Sequence, residues 1–331
     1  MSGLSDAAVT RLKAAAASTG ASGGRYHLLE EIGRGGMGVV HRALDNELGR
    51  EVAIKIPREA RGPEFERRLR IEARVLARLE HPGIVPIHDA GRLDDGRIFY
   101  VMKRVRGRTL REYLGELNGL NERLRVFERI CEPVAFAHAH GCIHRDLKPD
   151  NIMVGAFGEV MVMDWGVARV AGDGPASEPA CGPAVAGGTL HGTVVGTAGF
   201  MAPEQARGGS DGIDERADVY SLGAILYLLL TGRAPDGDAD PSAAIARHAG
   251  VPRPLRSICA RALAADPGGR YPAVIELAAD VARFRAGAAV AAHAETFVER
   301  TLRFARTYRA AILLVLAYIV MRTLVAIFAG S

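Results

Sequence analysis

The residues best equipped for chemistry form one short polar run, His144-Arg145-Asp146-Leu-Lys148-Pro-Asp-Asn151. Asp164-Trp165-Gly follows it, and Ala202-Pro-Glu204 comes later. In-line transfer of a phosphoryl group makes three demands. A carboxylate must orient the attacking hydroxyl and take its proton, hard oxygen atoms must hold Mg²⁺, and positive charge must face the moving group. Asp146 suits the first task, Asn151 with Asp164 the second, and Lys148 the third.

Upstream lies a glycine cluster, Gly33-Arg34-Gly35-Gly36-Met-Gly38-Val-Val40, flanked by Ile32. It falls between two β-type runs. A dinucleotide fingerprint needs a helix immediately afterwards, and GVVHRAL is a poor helix. A Walker A loop would need Gly-Lys-Ser/Thr, which is absent. What remains is a glycine-rich hairpin whose backbone can approach phosphates, or an ordinary turn. Seventeen residues after Gly38 comes Lys55, in the apolar run Val52-Ala53-Ile-Lys55. A lysine is seldom buried without a partner. Phe65, Leu69, Leu76 and Leu79 then recur at helical spacing, and Glu72 lies within that stripe. A Lys55–Glu72 ion pair would satisfy both groups; the alternative is Glu72 reaching solvent at the edge of the stripe.

These residues need elements to hold them. YHLLEEIG, GVVHRAL, EVAIKI, IVPIHDA and RIFYVMK read as strands, with one helix between Pro63 and His81-Pro82. Beyond Gly107 the pattern is mainly helical. TLREYLGEL opens with a capping box from Thr109 to Glu112, and a long helix covers about 121–140. A sheet-rich part (about 26–103) therefore precedes a helical part (about 108–285), which predicts an α+β molecule of two lobes with a cleft between them. Residues 1–25 read as a flexible leader without a signal peptide. Residues 170–192 form a long Gly/Pro/Ala loop of the kind that is functional or mobile.

Five motifs in this order resemble the protein kinase family, specifically the eukaryotic-like (Hanks-type) bacterial Ser/Thr protein kinases. The resemblance covers about 26–285. It implies ATP as phosphoryl donor, Mg²⁺ (or Mn²⁺) as metal, and protein Ser/Thr hydroxyls as acceptors. On this resemblance Gly33, Gly35 and Gly38, with Ile32, Arg34 and Gly36 beside them, cover the phosphates, while Val40 and Ala53 meet adenine. Lys55 holds the α/β-phosphates and pairs with Glu72. Met102 backs the adenine pocket, Lys103 and Val105 offer hinge backbone contacts, and Met153 floors it. Lys103 stands where many relatives carry an acid. Trp165 replaces the usual Phe of Asp-Phe-Gly, and its indole N–H needs a partner when buried. Thr197 contacts the catalytic loop, Asp218 braces it, and Glu204 with Arg270 forms a structural ion pair. Arg145 offers a guanidinium to a phosphate on Thr189 or Thr193, an expected activation-loop switch. Two rivals stay open: an ATP-binding scaffold without catalysis, and a small-molecule kinase of related fold.

Composition fits a folded chain: 331 residues, 48% hydrophobic and 24% charged. Four cysteines without metal spacing read as reduced thiols. Residues 300–331 hold five arginines (Arg300, Arg303, Arg306, Arg309, Arg322) and no acid, which leaves 37 positive and 38 negative groups in residues 1–299. The basic surplus belongs to the tail, and no nucleic-acid partner is expected. Residues 310–330 are apolar and, as a helix, about 31 Å long, enough to cross a bilayer's hydrocarbon. Arg322 would cost about 3 kcal/mol at mid-span, against about 4 kcal/mol gained from roughly ten Leu/Ile/Val/Phe residues. The expectation is a basic juxtamembrane segment (286–309) and a C-terminal single-pass anchor in the inner membrane. It keeps the kinase-like part cytoplasmic and, with the chain stopping at Ser331, carries no outer domain. A helix lying on the membrane, or self-associating into a homodimer, is the alternative.

Overall fold

The computed structural model describes residues 20–21, 24–35, 38–56, 73, 76–93, 95–165, 169–170, 198–207, 213–236 and 240–329. The first lobe is a six-stranded antiparallel sheet in the order β1-β2-β3-β4-β6-β5. Its strands are β1 (Gly20–Ala21), β2 (Tyr26–Gly35), β3 (Gly38–Asp45), β4 (Arg50–Ile56), β5 (Ile87–Arg92) and β6 (Ile98–Lys103). β1 pairs with Tyr26 and His27, so part of the expected leader joins the sheet.

Side chains alternate across a strand, and here the alternation divides the lobe into two packed faces. Val52, Ile54 and Ile56 of β4 pack with Tyr26, Phe99 and Val101. Ala53 packs the other way, with Ile98, Tyr100 and Met102, and Met161 joins that cluster from the second lobe. Both faces of β4 are therefore buried, which is why it reads as an almost unbroken apolar run.

The second lobe is built on α1 (Leu110–Tyr113), α2 (Leu120–Ala139), α3 (Pro203–Ala206), α4 (Arg216–Thr231), α5 (Pro241–Ala246), α6 (Arg253–Ala262) and α7 (Val274–Arg285). The capping box on α1 forms: the Glu112 N–H donates to Thr109 Oγ1 (3.3 Å) and the Thr109 N–H to the Glu112 carboxylate (2.9 Å). α4 is buried nearly all round and ends on Gly232 in the left-handed conformation (φ 78°). Two small sheets line the top of this lobe: β7 (Gly107–Thr109), β9 (Ile152–Gly155) and β10 (Val160–Val162) in one, β8 (Cys142–Ile143) and β11 (Arg169–Val170) in the other. Gly107 leaves room for this pairing, since a Cβ there would lie 2.3 Å from the Val154 carbonyl oxygen. Ile84 bridges to Val162, and the Val162 N–H donates to the Gly83 carbonyl (2.8 Å), stitching the lobes together.

Packing continues past Arg285, because Val290 is buried in the core of the helical lobe. Buried Asp280 accepts the N–H groups of Ala291 and Ala292, each at 2.9 Å. The remaining helices are α8 (Phe297–Thr307) and α9 (Arg309–Ala329). Among the described residues no single helix is long and apolar enough to cross a membrane. Phe297–Ala305 and Arg309–Thr323, bent by 74°, meet that standard only as a pair.

Arg270 is sunk in the helical lobe and uses its whole fork. It donates to Glu204 Oε1 and Oε2 (2.6 and 2.8 Å) and to the carbonyls of Ala264, Arg216 and Ala265 (2.8, 2.9 and 3.1 Å). Five donors meet five acceptors, a match that an ammonium cannot reproduce. Arg270→Ala is expected to cost about 3–5 kcal/mol in urea unfolding, with Arg270→Lys recovering little of it. A lysine variant as stable as the parent would show that charge alone, without the fork, suffices.

Candidate functional site

The roof of the cleft follows from strand register. Val40 lies opposite Lys55, Lys55 opposite Tyr100, and Ala53 opposite Met102. Cross-strand partners share a face, so these five side chains line one surface. β2 and β3 meet at the Gly35–Gly38 pair, with Gly33 opposite Val40; Gly36 lies outside the described residues. Ile32 is exposed, and Arg34 is held by Glu31 (2.6 Å). Val105 packs against the Ala53–Met102 cluster. The Lys103 side chain points to solvent and its N–H donates to the Pro86 carbonyl (3.1 Å), so its carbonyl is what it can offer a base.

Lys55 is buried as its sequence context requires, only 4% exposed. Its Nζ lies 2.9 Å from Asp164 Oδ1 and 5.7 Å from the centre of the Tyr100 ring. Glu72, the expected partner, lies outside the described residues. The Asp164 side chain is half open to the cleft. Its surroundings work against its charge, but the Lys55 ammonium outweighs them through charge and hydrogen bond, and Lys148 adds to it. The carboxyl is held below its ordinary range.

Below the roof, Lys148 Nζ donates to Asp146 Oδ2 (2.7 Å). Asn151 Nδ2 donates to the Asp146 carbonyl (2.8 Å) and to Asp146 Oδ2 (3.1 Å). One carboxylate is thus oriented from two sides, with a cation beside it. Half-buried Met153 follows on β9. The Met163 N–H donates to the Asn151 carbonyl (2.8 Å), which ties the segment carrying Asp164 to the catalytic loop. His144 makes a second tie: Nε2 donates to the Met163 carbonyl (2.9 Å), and Nδ1 accepts the Asp146 N–H (3.2 Å). These roles define a neutral imidazole.

The metal expectation can be tested on the donor atoms. Asn151 commits its amide N–H groups to Asp146, so its amide oxygen is what it can offer a cation. Asp164 adds a carboxylate. Among the described residues no cluster of three or more His, Cys, Asp or Glu cages a metal by itself. One amide oxygen and one carboxylate fit Mg²⁺, which prefers few protein ligands and completes its shell with phosphate and water.

Asp218 holds the loop from beneath. Fully buried, it accepts the N–H groups of His144 and Arg145 (2.8 Å each) and the Nε2–H of His138 (2.7 Å). Burial pushes its carboxyl up, but the His138 hydrogen bond and the His144 N–H outweigh this and hold it below the ordinary range. Arg145 and Asp164 both take left-handed backbone angles, φ 67° and 57°, which non-glycine residues adopt only where surroundings impose them. Trp165 is buried, donates its indole N–H to the Val162 carbonyl (3.2 Å) and packs on His144, ring centres 4.6 Å apart. The substitution for Phe therefore leaves no orphaned donor. Two supports escaped the sequence reading. His138 has no motif around it, and Gln205 Nε2, which donates to the Arg145 carbonyl (2.9 Å), had only its place beside Glu204 to mark it. Thr189, Thr193 and Thr197 lie outside the described residues.

Residues 26–312 match the protein kinase domain family. The chain belongs to the protein kinase family. It stands among the eukaryotic-like Ser/Thr kinases of bacteria. The Ser/Thr-protein kinase PknB of Mycobacterium tuberculosis is 40% identical over 282 residues, covering 80% of this chain and 43% of the relative. PrkC of Bacillus subtilis is 39% identical over 277 residues, covering 78% and 40%. The chain spans less than half the length of these curated relatives. A crystal structure of a mutant PknI kinase domain from M. tuberculosis matches with TM-score 0.57 at 25% identity, over 79% of this chain and 96% of that one. This kinase fold places the sheet-rich lobe over the helical one, as the sequence predicts.

Replacing Asp218 by Asn removes the charge and turns one acceptor into a donor. Asp218→Asn is expected to be about 2–3 kcal/mol less stable at pH 7 by urea unfolding. Because the folded-state pKa is depressed, the aspartate's contribution is complete above its unfolded value and fades as pH falls through the folded one. The gap between the two proteins should therefore narrow below about pH 4. A gap unchanged down to acid unfolding would mean the charge contributes nothing.

Proposed function

We propose that this kinase-family chain is an active Ser/Thr protein kinase, moving the γ-phosphoryl group of ATP to protein hydroxyls. The observation that carries the reading is the Lys148–Asp146–Asn151 triangle, joined through Met163 to the Lys55–Asp164 pair. Val40, Ala53 and Met102 form an apolar seat for adenine, and the Lys103 carbonyl and Val105 backbone give it edge contacts. Lys55 faces the α/β-phosphates under the glycine hairpin. Asp146 orients the acceptor hydroxyl and takes its proton as the oxygen–phosphorus bond forms and ADP departs. Lys148 neutralises charge on the transferred group. Asn151 and Asp164 would hold Mg²⁺, which supplies charge neutralisation across the β- and γ-phosphates. A scaffold role is disfavoured by the complete set of polar groups. A small-molecule substrate is disfavoured by the GTAGFMAPE segment, which resembles a peptide-binding one.

Full-length protein and Asp146→Asn should be compared for ADP release and for label transferred from ATP to protein. The variant is expected to fall by about 10²–10⁴-fold while still binding nucleotide. Equal label in both would remove Asp146 from the base role. Nucleotide binding with no transfer by the parent would favour the scaffold.

Regulation follows from the same chemistry. Arg145 is fixed beside Asp146 by Asp218 and Gln205, so a phosphate on Thr193 or Thr189 would add a charge-assisted pair at the catalytic loop. After incubation with ATP, peptide mapping by mass spectrometry should find one of the two modified. Active protein with both unmodified would refute it.

Residues 310–330 are proposed to anchor the chain in the inner membrane, with the kinase domain in the cytoplasm, where ATP is. The support is α9 itself, whose side chains from Leu313 to Met321 are exposed apolar groups. The arginines before it add a positive-inside signal.

A further inference from the structure

Phosphoryl transfer makes no use of α8, yet its placement is unusual. The helix opens with a capping box between Thr296 and Glu299. Around its axis Phe297, Val298, Leu302, Phe304 and Tyr308 share one broad arc, and Glu299, Arg300 and Arg303 the opposite one. An amphipathic helix added to a soluble domain turns its apolar arc inward. Here Glu299 and Arg303 of the polar arc face the protein. Glu299 lies 3.4 Å from His293 Nε2 and 3.8 Å from Arg253, and Arg303 forks onto Glu295 (2.7 and 2.8 Å). His293 is in turn within 3.1 Å of Ser257 Oγ on α6.

The apolar arc is left outward. Phe297 is 83% exposed and Phe304 58%, with Val298 and Tyr308 also exposed. Leu302, at the edge of the arc, overhangs a cleft lined by Pro252, Pro254 and Phe284. Large apolar groups gathered on one outward face mark an interaction surface. The helix does not hang on a loose tether, because Asp280 grips the Ala291 and Ala292 backbone just before it.

We propose that α8 lies in the headgroup layer of an anionic phospholipid bilayer, apolar arc downward, and so holds the helical lobe against the membrane in one orientation. The proposal rests on the anchoring reading of α9. Three observations choose a bilayer over a second protein. One bend separates the arc from the exposed apolar side chains of α9, Leu313 to Met321. Arg300, next to the apolar arc, and Arg309, at the start of α9, are exposed and complementary to anionic headgroups. The bend of 74° between the helices is also the relation a membrane imposes. With α8 flat in the interface, α9 enters close to the bilayer normal, within the usual tilt of about 0–40°. The aromatic pair Phe304–Tyr308, ring centres 4.6 Å apart, falls at the junction, where aromatic side chains favour the interface.

Full-length Phe304→Trp and Leu316→Trp should each be reconstituted into phosphatidylcholine–phosphatidylglycerol vesicles. Some vesicles carry bromine near the carbonyl end of the acyl chains, others near the methyl end. Both positions are exposed, so neither change disturbs the core, and buried Trp165 supplies a constant background. Phe304→Trp is expected to be quenched about twofold more by shallow bromine than by deep, and Leu316→Trp in the reverse order. Deep quenching at 316 with none at 304 overturns the proposal and leaves the anchor standing. Shallow quenching at 304 with none at 316 supports the interfacial helix and removes the span. Blue-shifted emission at 304 without quenching would assign the arc to a second copy of the chain and also overturn the proposal.

Discussion

The buried carboxylate of Asp218 is the constraint on which the catalytic geometry depends. It is fully enclosed, and an enclosed charge is tolerable only when hydrogen bonds replace water. Its partners are the N–H groups of His144 and Arg145 and the imidazole of His138. Satisfying the charge thus fixes the backbone immediately before Asp146. Arg145 takes a left-handed angle costing about 1–2 kcal/mol for an L-residue, and two charge-assisted hydrogen bonds more than offset it. From there His144 carries the constraint across the cleft floor. Its ring accepts the Asp146 N–H on one side and donates to the Met163 carbonyl on the other, setting Asp146 and the Asp164 segment by one rigid plane. Trp165, packed on that plane and bonded to Val162, closes the stack from below.

A second constraint acts at the hinge. Glu51 on β4 accepts from Arg42 (2.6 Å), Arg106 (2.8 Å) and Arg104. Hydrogen bonds from Arg106 and Arg42 lead in pushing its carboxyl down to about 2 against the opposing effect of burial, and Arg104 adds to them. Two of these arginines belong to the stretch joining the lobes, so the carboxylate ties the connection to the sheet that forms the roof. It also answers the question raised by Lys103. Lys103 is a cation beside a run of arginines, but Arg104 and Arg106 are turned onto Glu51, Arg108 onto Glu116, and Lys103 itself faces solvent. The Lys103 backbone is left free of these side chains.

How much of this could be read from the chain depended on the range of each interaction. Short β-type runs bounded by turn residues, followed by helical spacing, are local signals, so both lobes were legible, whereas Ala53 and Met102 entered only through resemblance. The capping box at Thr109 was legible because its partner is three residues away. Lys55 was legible as an oddity, a cation in an apolar strand, although the described carboxylate that meets it, Asp164, is 109 residues distant. Asp218 and the Glu204–Arg270 pair entered only through resemblance. His138 with Asp218 and Gln205 with Arg145 are separated by 80 and 60 residues and belong to no periodic stripe. Hydrophobic patterning specifies which face of an element is inside. It does not specify which distant polar groups will meet there.

The C-terminal region shows that rule failing in an informative way. By patterning alone, the apolar arc of α8 would pack against the helical lobe. Continuation of the packed domain to Val290, with Asp280 capping the following backbone, brings the chain out beside Arg253 and Ser257 of α6. Arg253 and His293, the latter beside Ser257, meet Glu299, and Arg303 turns onto Glu295 just before the helix, so that the apolar arc faces away. In water that orientation exposes several large apolar side chains at roughly 25 cal/mol per Å², a cost that surface ion pairs of about 0–1 kcal/mol do not offset. An apolar medium on the outer side reverses the sign of the first quantity and leaves the second unchanged. An apolar medium beneath α8 would therefore stabilise this orientation, and α9, which follows at a bend of 74°, is the helix proposed to enter such a medium.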